Sequence, residues 1–204
     1  MALVILETLR THDLPEEILD DENLSVTLPR RLGLSDVIDR QIRHLAEEAR
    51  RRRRLPDSQV LDLMQLVLRR PDARKVFRQV GRDLHGHAGG AGVRRFLPRS
   101  IALRLARRRT ARFLRVLFGR RVVTAVGSGF HLEAGPNLPG RSETDGAICG
   151  LVSGLAEASL ARYFADPPEV GHETIRPGPR GACCWTVPEP EPEPEGPSLA
   201  PEDR

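Results

Sequence analysis

Cysteine is scarce in this 204-residue chain, and two of its three copies are adjacent. Cys183 and Cys184 lie in HETIRPGPRGACCWTV, residues 172–187, beside the chain's single tryptophan, Trp185. Thiols in such a stretch could ligate a metal, act as a redox pair, or pack as small apolar groups. Structural zinc takes four ligands and catalytic zinc three, usually drawn in pairs at defined spacing. Cys183 and Cys184 are adjacent rather than spaced, and the HGH of residues 85–87 enters a glycine-rich stretch with no partner nearby in sequence. No metal site and no cofactor are therefore expected. A disulfide between neighbours would close a strained ring, and the odd cysteine count fits no disulfide framework. Strand alternation should turn Cys183 into the core and Cys184 to the surface or an interface.

Other chemistry finds little support. The chain has no Gly-x-Ser-x-Gly elbow, HExxH helix, phosphate-binding loop or dinucleotide fingerprint, and the short GSGF at 127–130 falls inside a hairpin signal. His131 and His172 fall on expected strands with no acid or nucleophile evident alongside. The chain is not expected to be an enzyme.

Charge is distributed unevenly. The net charge is +4, yet residues 188–204 carry six acids against Arg204, so this tail is −5 and the remainder +9. Such a surplus attracts phosphates, anionic lipids or acidic segments, the protein's own tail included. Two arginine groups could supply an anion-binding surface: Arg50, Arg51, Arg52, Arg53 and Arg54 in one run, and Arg104, Arg108, Arg112 and Arg115 at helical spacing. Aromatic residues are not interleaved with them, as stacking on single-stranded nucleic acid would require. The N-terminal MALVILETLR is apolar for too short a run to be a secretion signal or membrane span, so a cytoplasmic protein with reduced thiols is expected.

These side chains need elements to position them. Residues 1–34 are broken by Pro15, Pro29 and Gly33 and read as short helical pieces. Val37, Ile38, Ile42, Leu45 and Ala49 recur at helical spacing after Ser35, a capping residue. A helix from Asp57 carries apolar residues around most of its circumference and is expected to be well buried. Another begins near Pro71 and Asp72 and runs to the glycine stretch at 85–92. Residues 97–119 form a long helix closed by Gly119. VVTAV (122–126) and FHLEA (130–134) read as a hairpin about GSG. A helix capped by Asp145 carries Ile148, Cys149, Val152, Leu155, Ser159, Tyr163 and Phe164, and the small residues of GLVSG at 150–154 let two elements approach closely. EVGHETIR and CCWTV form a second hairpin, followed by an extended PEPEPEPE. The fold class is thus α/β of the α+β kind: a helical N-terminal half, two β-hairpins forming an antiparallel sheet with a helix between them, and a disordered acidic C-terminal tail.

The segment GLVSGLAEASLARYFADPPEVGHETIRPGPRGACCWTV, residues 150–187, resembles the C-terminal half of the 4-vinyl reductase domain, a ligand-binding module also described for hydrocarbon-binding proteins. Cys149, Gly154 and Glu157 match its cysteine-bearing helix, and Cys183, Trp185 and Val187 its last strand. FLRVLFGRRVVTAVGSGFHLE (113–133) is similar to its long helix and central hairpin, and FRQVGRDLHG (77–86) to its first-helix Gly-Arg pattern. The departures are Ile175, where the family has its first hairpin cysteine, and the extra Cys184. The resemblance implies the fold shared with TRAPP-complex subunits and haem-type nitric-oxide sensors, often dimeric. It further implies a 57–187 ligand-binding domain, with residues 1–56 as a helical arm and 188–204 as a tail. A lipophilic small molecule would then be held by Phe113, Leu117, Phe130, Cys149, Val152, Leu155, Cys183 and Trp185 in a sensory module that self-associates as a homodimer. The alternative is a basic adaptor whose arginines bind nucleic acid or an acidic partner.

Overall fold

The structure is a computed structural model that describes residues 1–12, 36–51, 57–86, 97–135, 138, 146–176 and 182–188. Among them run α1 (Ala2–His12), α2 (Asp36–Arg50), α3 (Asp57–Leu68), α4 (Ala73–Gly86), α5 (Arg99–Phe118), β1 (Val123–Ala125), β2 (His131–Ala134), α6 (Cys149–Ala161), β3 (Gly171–Arg176) and β4 (Ala182–Thr186). This is the α+β arrangement read from the sequence, with a helical N-terminal half and a helix between two hairpins. Gly119 ends α5 in the left-handed conformation, at φ 67°, which costs a residue without Cβ nothing. The acidic tail beyond Pro188 lies outside the described residues, as do residues 13–35.

The strands form one antiparallel sheet in the order β1-β2-β4-β3. Each hairpin supplies two strands, and the β2–β4 pairing joins them, so the last strand of the chain is interior and β3 is an edge. Leu132 pairs with Trp185, and Trp185 with His172; Thr174 pairs with Cys183. Direct cross-strand partners share a face, so Leu132, His172, Thr174, Cys183 and Trp185 line one side of the sheet. Glu133, Glu173 and Cys184 line the other.

Helix α6 lies at the centre. Every residue from Cys149 to Ala156 is buried, which fits a helix with no polar face over that stretch. One side rests on α4 with almost no room between the backbones. A Cβ added at Gly150 or Gly154 would strike the carbonyl of Arg74 or Arg78, and one added at Gly81 would strike that of Leu151. The close approach expected from GLVSG is therefore a seam between two helices of one core. Along α4, Val76, Phe77, Val80 and Leu84 are buried, while Arg74, Arg78 and Arg82, spaced one turn apart, emerge at its exposed edge.

Two expectations change, for α3 and α1. Helix α3 is not buried over most of its circumference: Met64 and Val67 enter the core, but Leu61 and Leu66 are 45% and 63% exposed, because among the described residues no element covers that side of α3. Helix α6 begins at Cys149 with Ile148 at its N-cap and no side-chain cap hydrogen bond there, while Asp145, read as its cap, lies outside the described residues. Helix α1, read as part of an N-terminal arm, contributes Val4 and Ile5 to the same apolar cluster as α4 and α6. Thr8 of α1 also donates a hydrogen bond to Asp83 of α4 at 2.8 Å.

Candidate functional site

The seam fixes where the chemistry-bearing residues meet. With α6 pressed on α4 by its glycines, the adjoining side, about 100° round the helix, turns Cys149 and Ser153, one helical turn apart, towards β4. Cys149 Sγ lies 3.5 Å from Cys183 Sγ. Trp185, two residues on and on the same face, donates its indole N–H to Ser153 Oγ at 3.1 Å, and Ser153 donates in turn to the Cys149 carbonyl at 3.2 Å. This chain satisfies the indole nitrogen of a wholly buried tryptophan and ties the first turn of α6 to the strand.

From the neighbouring strand, His172 completes the group. A ring nitrogen of His172 and the sulfurs of Cys149 and Cys183 all lie within 4.8 Å of one another. The His172 ring packs against Trp185 with centroids 5.3 Å apart. Its Nδ1 accepts a hydrogen bond from Arg74 Nη2 at 2.8 Å, and its buried Nε2 has no partner among the described residues. Burial, and then the Arg74 guanidinium, hold His172 below the ordinary histidine range, so the ring is neutral at pH 7.

Two thiols and a neutral imidazole converging from a helix and two strands have the spacing and donor chemistry that could hold a thiophilic metal ion. Tetrahedral zinc at about 2.3 Å from each sulfur places the sulfurs about 3.8 Å apart, close to the 3.5 Å found here. Ligation by Nε2 would move the ring proton to Nδ1, and Arg74, whose side chain is exposed, would have to turn away. The sequence reading found no ligand set around the cysteines and did not identify this three-residue group. It compared Cys183 with its covalent neighbour, whereas the partners lie 34 residues back on α6 and across the hairpin on β3.

Cys184 belongs to the other face. It is 6% exposed instead of sitting at the surface, because β4 is interior and Glu133 and Glu173 flank it in register. Burial, and then Glu173, push its thiol above the ordinary range, which leaves it protonated and unreactive. On the same face His131 Nε2 lies 3.5 Å from Glu133 Oε1, an acidic neighbour that the sequence reading did not assign to it.

The remaining candidates separate. Phe130, Val152 and Leu155 join Cys149, Cys183 and Trp185 in the continuous core, with Val152 and Leu155 wholly buried. Phe113 and Leu117 are half-buried at its edge. Phe113 stacks on His85, which accepts a hydrogen bond from Arg109 and is pushed down to about 4 by burial, then by Arg109 and Arg162. An open cleft of about 720 Å³ lies elsewhere, between α1 and α4, lined by Val4, Thr8, His12, Gln79 and Asp83 among others, and none of the eight expected pocket residues borders it. Arg50, Arg51, Arg104, Arg108, Arg112 and Arg115 are exposed, while Arg52, Arg53 and Arg54 lie outside the described residues.

Sequence reasoning passed over two arginine roles. Arg107 is buried and donates to the Val126 and Gly127 carbonyls at 2.7 and 2.6 Å, pinning the turn of the first hairpin to α5. Arg78 and Arg82 together grip both carboxylate oxygens of Glu157 on α6, reinforcing the seam from its exposed edge. Among the described residues no helix is long and apolar enough to cross a membrane. Comparison with protein-family models, with curated proteins and with solved structures finds no match for this chain.

Proposed function

We propose that this chain is a non-enzymatic sensory or binding module whose recognition centre is the group Cys149, His172 and Cys183, and that its ligand is a thiophilic metal ion such as zinc. The observation that carries this reading is the meeting of the two sulfurs at 3.5 Å with a His172 ring nitrogen within 4.8 Å, in a ring whose buried Nε2 has no partner among the described residues. Metal binding would deprotonate the thiols and satisfy that nitrogen, tying α6, β3 and β4 together at one point. A cytoplasmic setting supplies the reduced thiols this requires. The edge strand β3, with Glu173, Thr174 and Ile175 exposed, is where two copies could pair as a homodimer.

The lipophilic ligand suggested by the resemblance to the 4-vinyl reductase domain fits less directly. It would have to displace Val152, Leu155 and Trp185, each wholly buried in the core. The basic-adaptor reading draws support from the exposed arginines of α5. Thermal unfolding of the reduced protein with and without equimolar Zn²⁺ tests the proposal. Zinc should raise the midpoint of the parent and leave that of Cys149→Ala unmoved; equal shifts in both, or none in the parent, would rule it out.

A further inference from the structure

The outer side of α5 carries Arg104, Arg108, Arg112 and Arg115, all exposed and all within a quarter-turn of one another at 100° per residue. The helix holds no acidic residue of its own. None of the four lies within ion-pairing distance of a carboxylate among the described residues. Like charges one turn apart repel, so this face is improved by any anion that lies along it.

The described chain ends beside this helix. The carbonyl of Pro188 accepts a hydrogen bond from Arg99, the first residue of α5, at 3.3 Å. The segment that follows, 189–204, holds Glu189, Glu191, Glu193, Glu195, Glu202 and Asp203 against a single arginine. Three of its glutamates precede proline, which restricts them to extended backbone before any contact is made, so laying the segment on a surface sacrifices little conformational freedom. Alternate residues of a polyproline helix advance about 6 Å, and residues four apart on an α-helix advance the same distance. The stripe ends about 24 Å along the axis from Arg99, while the sixteen residues extend to about 50 Å. That length suffices to round the helix from its core side and follow the stripe.

We propose that residues 189–204 dock in cis as an acidic strap over Arg104, Arg108, Arg112 and Arg115, so that the chain's own C-terminus occupies its anion-binding surface and external polyanions must displace it. This goes beyond the metal-centre reading and does not depend on it.

The test uses the full ¹⁵N-labelled chain, the variant with Glu189, Glu191, Glu193 and Glu195 changed to Gln, and Arg108→Gln/Arg112→Gln. In the parent at low salt the amides of Glu189, Glu191, Glu193 and Glu195 should show restrained relaxation, which Arg108→Gln/Arg112→Gln and high salt both release. The glutamine variant should bind a heparin oligosaccharide roughly fivefold to tenfold tighter than the parent at low salt, a gap that closes as salt rises. Free tail amides in the parent would overturn the proposal, even with tighter heparin binding, since that combination reports net charge alone. Equal heparin affinities would overturn it as well.

Discussion

The two faces of β4 are made from alternate residues of one short strand, and they differ in what lies across from them. On the inner face, Cys183 and Trp185 meet α6, whose backbone is held against α4 by Gly81, Gly150 and Gly154. On the outer face Cys184 lies between two glutamates supplied by its own sheet. Both thiols are nearly inaccessible, yet one has a thiol and an imidazole at hand and the other has only carboxylates that oppose its ionisation. Burial alone therefore does not mark a reactive cysteine. What marks it is a neighbouring element that brings a second donor, and here that element is positioned by the glycines of its seam with α4.

The hardest way to break this contrast is to move α6. Gly154→Ala places a methyl group against the Arg78 carbonyl, which is backbone and cannot rotate aside. The helices must separate, at a cost of about 3 kcal/mol or more in urea unfolding. Gly129→Ala, where an added Cβ meets nothing, should change stability by less than about 1 kcal/mol.

Acid should act next most strongly, through the buried imidazoles. His172 on the inner face and His85 beside α5 both have folded-state values below that of the unfolded chain. The unfolded state therefore binds protons first. Stability is intact above about pH 6.5 and falls as the pH drops through the histidine range, His85 ceasing to add to the loss once it protonates in the fold near 4. Between pH 7 and pH 4 the shift of His85 alone should remove on the order of 2–3 kcal/mol, and His172 adds to the loss in the same direction. His172→Phe and His85→Phe should each flatten the profile followed by chemical denaturation.

The smallest effect compares the two cysteines directly. Cys183→Ser puts a smaller, more strongly hydrated hydroxyl into the buried cluster, where the Cys149 sulfur is only a weak partner, and should cost about 1–2 kcal/mol, whereas Cys184→Ser puts one beside Glu133 and Glu173, which can accept its hydrogen bond, and should cost about half that or less. Equal losses would mean that the two faces are equally dry.

Local signals in the sequence were enough to place the helices and both hairpins. Changes in apolar period, the glycines at 119 and 127, and the prolines after α6 each act over a few residues. The alternation argument likewise put Cys183 and Trp185 inward. The group around Cys183 was not legible, because it depends on β4 inserting between β2 and β3 and on the glycine seam that aims Cys149. The register of the last hairpin held a usable signal: pairing His172 with Trp185 puts the imidazole on the Cys183 face. The exposure of α3 and the burial of Arg107 were equally beyond local pattern, since each follows from what the rest of the fold does or does not place beside them.

The claim that the inner face is a soft-metal centre is tested most directly by Co²⁺ titration of the reduced protein, read by the thiolate-to-metal charge-transfer band in the near ultraviolet. The parent and Cys184→Ser should both develop the band to one equivalent, while Cys149→Ser and Cys183→Ser should each weaken it severely and His172→Phe should lower the affinity. A band lost in Cys184→Ser but kept in Cys183→Ser, or no band in the parent, would contradict the account.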